Sequence, residues 1–142
     1  MKIAIGSDHG GYLLKEDIKE HLSGRKVVFK DFGAYSEGSV DYPDIGKKVA
    51  RAVASKKYKF GILVCGTGLG MSMVANKVKG IRAALCHNVY TAKMSRAHND
   101  ANILCLGGRV LKKAPALKIV EAFLRTPFEG GRHLRRVKKI GK

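Results

Sequence analysis

Phe60-Gly61-Ile62-Leu63-Val64-Cys65-Gly66-Thr67-Gly68-Leu69-Gly70 joins an apolar run to a cysteine and then to three alternating glycines. The run is too short and too β-branched for a helix, so it reads as a buried strand, and the glycines after it permit turns and close approaches that other residues forbid. Met71 to Val78 is helix-compatible. Cys65 therefore stands where a strand stops and a helix begins, the place where open α/β sheets bind ligands.

The same alternation extends outward in both directions. Lys2 to Ser7 is a strand candidate, followed by Asp8-His9-Gly10-Gly11 and by Leu13, Leu14, Ile18 and Leu22 at helical spacing. Val27 to Gly33 reads as a second strand, Ala34 to Asp41 as a polar loop, and Pro43 opens a helix from about Asp44 to Ser55. That helix carries Ile45, Val49, Ala52 and Val53 on one face and Lys47, Lys48 and Arg51 on the other. Gly80 to Cys86 makes a fourth strand, Tyr90 to about His98 a helix, and Ile103 to Leu106 a fifth strand. A helix around Pro115 to Leu124 has its proline in the first turn, where the missing N–H costs nothing. Strands alternating with helices predict an α/β, doubly wound domain: a parallel sheet of about five strands with helices on both faces. With 142 residues and no linker or repeat, the chain is expected to form one domain.

Composition excludes several classes. No apolar stretch approaches the roughly 18 residues of a membrane span, and the N-terminus lacks a signal-peptide apolar region, so a cytoplasmic protein with no membrane partner is expected. Cys65, Cys86 and Cys105 are odd in number and widely spaced, which argues against a disulfide framework or a zinc cluster. Cys86 and Cys105 lie in apolar strands and read as buried structural thiols. No His, Cys or carboxylate pair shows metal-ligand spacing, so a reaction without metal or cofactor is favoured. A formal charge of +17 implies an anionic partner, and the cations thicken at Arg132-His133-Leu134-Arg135-Arg136-Val137-Lys138-Lys139, which reads as a solvated basic helix or tail. A nucleic-acid-binding protein is the competing class, but no recognition motif or interleaved aromatic signature accompanies the charge, and aromatic content is 7%.

Four polar constellations fall beyond predicted elements: Asp8-His9, Cys65 to Gly70, His98-Asn99-Asp100, and Gly130-Gly131-Arg132-His133. A parallel sheet is expected to gather such loops on one edge. The glycine loop matches neither the dinucleotide nor the nucleotide-triphosphate fingerprint. It leaves a run of backbone N–H groups leading into a helix, suited to a carboxylate, a phosphate or a developing oxyanion. A thiolate at Cys65 would serve there as base or nucleophile. His9 and His98 sit among polar residues and are the candidate proton carriers, whereas His21 on the first helix reads as solvent-facing.

Gly6-Ser7-Asp8-His9-Gly10-Gly11, Asp41-Tyr42-Pro43, Cys65 to Gly70, Ala75-Asn76-Lys77, Ser95 to Asn102, Gly107-Gly108-Arg109 and Phe128 to His133 together resemble the ribose-5-phosphate isomerase type B family. That family includes galactose-6-phosphate and allose-6-phosphate isomerases. The resemblance spans nearly the whole chain and implies a Rossmann-like three-layer domain over residues 1–142, with the basic segment from about residue 126 contributing to the active site or the dimer. It implies cofactor-independent aldose-ketose isomerisation of a sugar phosphate by a homodimer with interfacial active sites, a tetramer being the alternative. Ribose 5-phosphate and ribulose 5-phosphate are the implied pair, six-carbon phosphates the alternative. By the same resemblance Cys65 matches the base, Gly66, Gly68 and Gly70 the amides that hold the enediolate oxygen, and His98, with Thr67, the ring-opening acid/base. Asp8 and Asn99 match groups that hold sugar oxygens, and His9, Arg109, Arg132 and Arg136 match phosphate ligands. His98, Asn99 and Arg109 are implied to come from the partner subunit. Some members place a glutamate base just after the glycine loop; here Met71 holds that position and Cys65 is present, as in the cysteine type.

Overall fold

The structure, a computed structural model, describes residues 1–141. In chain order it comprises β1 (Lys2–Ser7), α1 (Tyr12–Gly24), β2 (Val28–Asp31), α2 (Tyr42–Ala54), β3 (Phe60–Cys65), α3 (Leu69–Ala75), β4 (Ala83–Leu85), α4 (Val89–Ala97), β5 (Ile103–Gly107), α5 (Lys113–Arg125) and α6 (Arg132–Ile140). All neighbouring strands are parallel, in the order β2-β1-β3-β5-β4.

The continuous apolar runs of β3 and β5 follow from their place in this sheet. Helices cover both faces, so every residue of either strand is buried and no polar alternation is possible. Successive residues serve two cores. Ile3, Ile5, Ile62, Val64, Leu104 and Leu106 pack with Leu14, Ile18 and Leu22 of α1 and with Ile119, Val120 and Phe123 of α5. Ala4, Leu63, Cys65, Ile103 and Cys105 pack on the other face with Val49 and Val53 of α2 and Met71 of α3.

Edges are where the sequence reading overruns. The predicted second and fourth strands shrink to Val28–Asp31 and Ala83–Leu85, because each lies at a sheet edge and pairs on one side only. Leu13 is 63% exposed, off the buried stripe of α1. His21 does not face solvent freely: its Nε2 lies 2.7 Å from Glu121 Oε1, joining α1 to α5. The basic tail is an ordered helix, α6, with His133 and Val137 buried. No helix among the described residues is long and apolar enough to cross a membrane.

A buried cation locks the β2 edge. Lys15 is fully buried, and its Nζ donates to Asp31 Oδ1 at 2.7 Å, to Asp31 Oδ2 at 2.6 Å and to the Ala34 carbonyl. Lys19 Nζ donates to the same carboxylate at 2.8 Å. Just beyond, Ser7 N–H donates to Gly33 O and Ala34 N–H to Ser7 O, both at 2.6 Å. The ion pair therefore holds the turn that braces the carboxyl end of β1. Asp31→Ala leaves the buried Lys15 ammonium with only the more distant Glu16, 3.7 Å away, as counter-charge and is expected to cost about 3 kcal/mol in urea unfolding. Burial alone would raise the Asp31 carboxyl, but hydrogen bonds from Lys15, Lys19 and the Gly33 N–H outweigh it and hold it below the ordinary carboxylate range. A depressed folded value stabilises above the unfolded value of about 3.9 and fades as pH falls through the folded one. Unfolding free energy is thus expected to drop more steeply below about pH 4 in the wild type than in Asp31→Asn.

Candidate active site

From β1 the chain runs outward to β2, then crosses to β3 on the other side of β1. This reversal opens a crevice at the carboxyl ends of β1 and β3, the topological switch point. Asp8 and His9 follow β1, the Cys65 loop follows β3, and Gly107-Gly108-Arg109 ends β5 beside it. The three loops pack backbone against backbone. Asp8 N–H donates to Val64 O at 3.2 Å, Gly108 N–H to Cys65 O at 2.8 Å, and Arg109 N–H to Gly66 O at 3.0 Å. A Cβ on Gly108 would stand 2.7 Å from Gly10 O, and one on Gly107 2.7 Å from Thr67 O.

Cys65 is 5% exposed, and its Sγ accepts the Gly68 N–H at 3.1 Å. That contact requires Gly68 in the left-handed region, φ +81°, with a Cβ excluded by Leu85 and by the Leu106 backbone 2.9 Å away. Thr67 is exposed, and its Oγ1 accepts the Leu69 N–H at 3.2 Å. Asp8 Oδ1 caps the short 3-10 turn His9–Gly11 by accepting Gly11 N–H at 3.1 Å, which leaves Oδ2 free of it. His9 Nδ1 accepts the Val40 N–H at 3.3 Å, so the neutral ring carries its proton on Nε2 and can donate there. Tyr42, at the start of α2, lies over Gly70, where a Cβ would fall 2.5 Å from its ring. Nothing in the spacing of Asp41-Tyr42-Pro43 signals this contact with the glycine loop. The resemblance groups Arg109 with His98 and Asn99; within the chain its guanidinium lies at Gly66, 3.3 Å from where a Cβ would stand. Cys86 and Cys105 are buried, and burial pushes both thiols up, Cys105 far more.

The remaining predicted residues do not join this edge. His98 and Asn99 terminate a helix, not a strand, and helices of this fold run back toward the amino edge of the sheet. Asp100, at φ +48°, accepts from Arg96 Nη1 at 2.9 Å and Arg82 Nη2 at 3.2 Å, and so fixes the turn. Asn102 O accepts Gly61 N–H at 2.9 Å, at the start of β3. Register pairs Gly61 with Ile103 and Cys65 with Gly107. Four strand steps of about 3.3 Å thus put roughly 13 Å of sheet between the two edges. The four constellations therefore do not gather on one edge, as the sequence predicts, but divide between the two edges.

Around His98 a second cluster assembles. Glu129 N–H donates to Ala97 O at 3.0 Å, docking the tail on the end of α4. His133, on α6, stacks on His98 with ring centroids 4.2 Å apart and 10° between planes. Its burial, with His98 and Arg132 nearby, pushes the His133 imidazole down from its ordinary value. His98, Asn99, Arg132, His133 and Arg136 line a cavity of about 360 Å³. Glu129 Oε1 lies 3.9 Å from His98 Nε2 and 3.3 Å from His133 Nε2. These three side chains, brought together by tertiary structure and not by local spacing, are where a metal ion could be held. Sequence reasoning singled out neither Glu129 nor His133 as a partner of His98; the signal available was their separation of four residues on the approach to a helix.

A family model described as Ribose/Galactose Isomerase matches residues 3–140. Ribose-5-phosphate isomerase B of Escherichia coli (strain K12) is 48% identical over 139 residues, covering 98% of this chain and 93% of that protein. The structure of Clostridium thermocellum ribose-5-phosphate isomerase B superposes with a TM-score of 0.98 at 59% identity, covering 99% of this chain and 95% of that one. A Mycoplasma genitalium ribose-5-phosphate isomerase B with bound ribulose 5-phosphate superposes with a TM-score of 0.93 at 46% identity, covering 98% and 93%.

Gly68→Ala is expected to lower the unfolding free energy by about 1–3 kcal/mol, through the strained φ and the Leu106 contact. A Cβ at Gly24 meets nothing within 4 Å, so Gly24→Ala is expected to be neutral or slightly stabilising in the same denaturation series.

Proposed function

This chain belongs to the ribose/galactose isomerase family, and we propose that it interconverts ribose 5-phosphate and ribulose 5-phosphate at a site completed by a second copy of itself. The observation that carries this reading is the division of the polar groups between opposite ends of one sheet. The base and anion-holding loop stand at the carboxyl edge, and His98, Asn99, Arg132 and Arg136 stand at the amino edge. Two copies related by a two-fold axis present each end to the other, and so form two equivalent composite sites.

In each site the Cys65 thiolate takes the proton from the carbon next to the carbonyl. The C–H electron pair becomes the enediolate double bond, and the carbonyl π pair moves to oxygen. Backbone N–H groups of the 66–70 loop face that oxygen, fixed where charge develops, except that of Gly68, which donates to Cys65 Sγ. The proton returns from the thiol to the neighbouring carbon while the hydroxyl proton on the second oxygen passes to the first, so that the new carbonyl forms at the second carbon and aldose becomes ketose without metal or coenzyme. Beforehand the furanose must open. His98 of the second copy, helped by Thr67, passes a proton to the ring oxygen as the C–O bond breaks, and the proton released by the anomeric hydroxyl returns to that same acid/base pair. Asp8 and Asn99 hold sugar hydroxyls. His9 through Nε2–H, together with Arg109, Arg132 and Arg136, holds the phosphate, guanidinium groups matching its oxygens two at a time. The substrate assignment is supported by the ribose-5-phosphate isomerases B among the relatives and by the ribulose 5-phosphate bound to the Mycoplasma genitalium protein. Three free thiols and a phosphorylated substrate fit a cytoplasmic enzyme.

Cys65→Ala and His98→Gln, each purified alone, are expected to lose at least about 100-fold in turnover of ribose 5-phosphate while keeping the fold. Co-expressed, the two variants form mixed pairs in which one site keeps both native groups. Random pairing makes about half the pairs mixed, so about a quarter of wild-type activity should return. Recovery of none would rule out the shared site, and near-normal turnover of Cys65→Ala alone would rule out Cys65 as the base.

A further inference from the structure

We infer that His98, Glu129 and His133 form a three-ligand site for a divalent cation of the zinc class, and that its occupation takes His98 out of proton transfer. Each residue offers one ligand atom, and these atoms lie within 4.8 Å of one another. A tetrahedral zinc ion with bonds of about 2.0–2.1 Å sets its ligand atoms roughly 3.3 Å apart. Glu129 Oε1 and His133 Nε2 already have that separation, 3.3 Å, and His98 Nε2 has to approach Glu129 from 3.9 Å.

A second observation points the same way. The His133 side chain is only 9% exposed, and its Nε2 is buried without a hydrogen-bond partner, although Glu129 faces it. A buried ring nitrogen with no partner is costly, and a cation between the two residues would satisfy it. His98 and Glu129 are 39% and 56% exposed, which leaves a path for the ion and an open fourth position for water. Two imidazoles and one carboxylate favour zinc, cobalt, nickel or copper over magnesium or calcium, which prefer all-oxygen shells.

Two features oppose binding and set its strength. Arg132 and Arg136 line the same cavity and repel a cation. The stacked rings must also tilt apart, because a metal lies near the plane of each imidazole it binds; the stack is worth only about 1 kcal/mol. The site is therefore a reversible one, filled as the metal concentration rises. Bound metal occupies the Nε2 lone pair of His98 and displaces any proton there, so the nitrogen that faces Glu129 can neither accept nor donate one. The inhibitory half of the inference rests on the catalytic role proposed for His98; the binding half does not.

The test is a cobalt(II) titration of the full-length protein, read by its visible ligand-field absorption, with zinc as competitor and with isomerase turnover followed in parallel. Saturable absorption is expected, retained in Cys65→Ser, and weakened at least about 100-fold in Glu129→Gln and in His133→Gln, more than loss of an outer-shell partner costs. Glu129 is exposed, so its variant keeps the test valid if His133→Gln fails to fold. Zinc should inhibit the wild type reversibly, with chelator restoring turnover, at concentrations that no longer inhibit Glu129→Gln. Absorption lost in Cys65→Ser but kept in Glu129→Gln would place the metal on the thiol and overturn the site. Saturable binding without inhibition would overturn the coupling to His98 and leave the site standing.

Discussion

Everything at the carboxyl edge depends on backbones touching. Three loops, after β1, β3 and β5, approach so closely that a single Cβ on Gly107 or Gly108 would fall 2.7 Å from a carbonyl oxygen of the neighbouring loop. Such contact admits no side chain, so the loops have one relative arrangement, and it fixes Cys65 Sγ against the Gly68 N–H. The thiol is thereby held by main chain on rigid strands, and it does not depend on a side-chain rotamer elsewhere. The Lys15–Asp31 pair acts one layer out, bracing the turn that hydrogen-bonds Ser7. A buried ion pair is weak as a source of stability but strict about geometry, since either partner alone is costly.

Parallel topology then imposes a second constraint. Residues after strands collect at one edge of the sheet and residues after helices at the other, so a single chain cannot bring His98 to its own Cys65. His98 and Cys65, the proposed acid and base, are kept about four strand residues apart by the register that makes the core, at about 3.3 Å per residue. The second copy proposed to complete the site would unite them, because two-fold symmetry supplies the missing edge twice. Asp100 serves this arrangement from within. By accepting from Arg82 and Arg96 it fixes the turn that presents His98 and Asn99 outward.

Much of this was legible in the residues. Phe60–Cys65 and Ile103–Gly107 were readable as strands because burial on both faces leaves only apolar residues, and the alternating glycines announced a close-packed loop. Edge strands are shorter than their apolar runs because each pairs on one side only: Val27 is as β-prone as Val28 yet lies outside β2. Lys15 gave no sign of its burial, since its partner Asp31 lies sixteen residues away. The His98–Glu129–His133 cluster was hidden for the same reason, being assembled by the docking of Glu129 on Ala97.

The charge of +17 becomes intelligible once the carboxylates are placed. Asp31 engages Lys15 and Lys19, Asp100 engages Arg82 and Arg96, and Glu121 faces His21 and Arg25. These acids hold elements together and neutralise cations that have structural work. Arg109, Arg132 and Arg136 have no carboxylate partner among the described residues, and all three stand at the groups proposed to meet the phosphate. An arginine already paired would have to break that pair to bind an anion. Leaving these three unpaired keeps them available, and the positive field they share with the surrounding lysines would draw the proposed phosphorylated substrate toward the crevice.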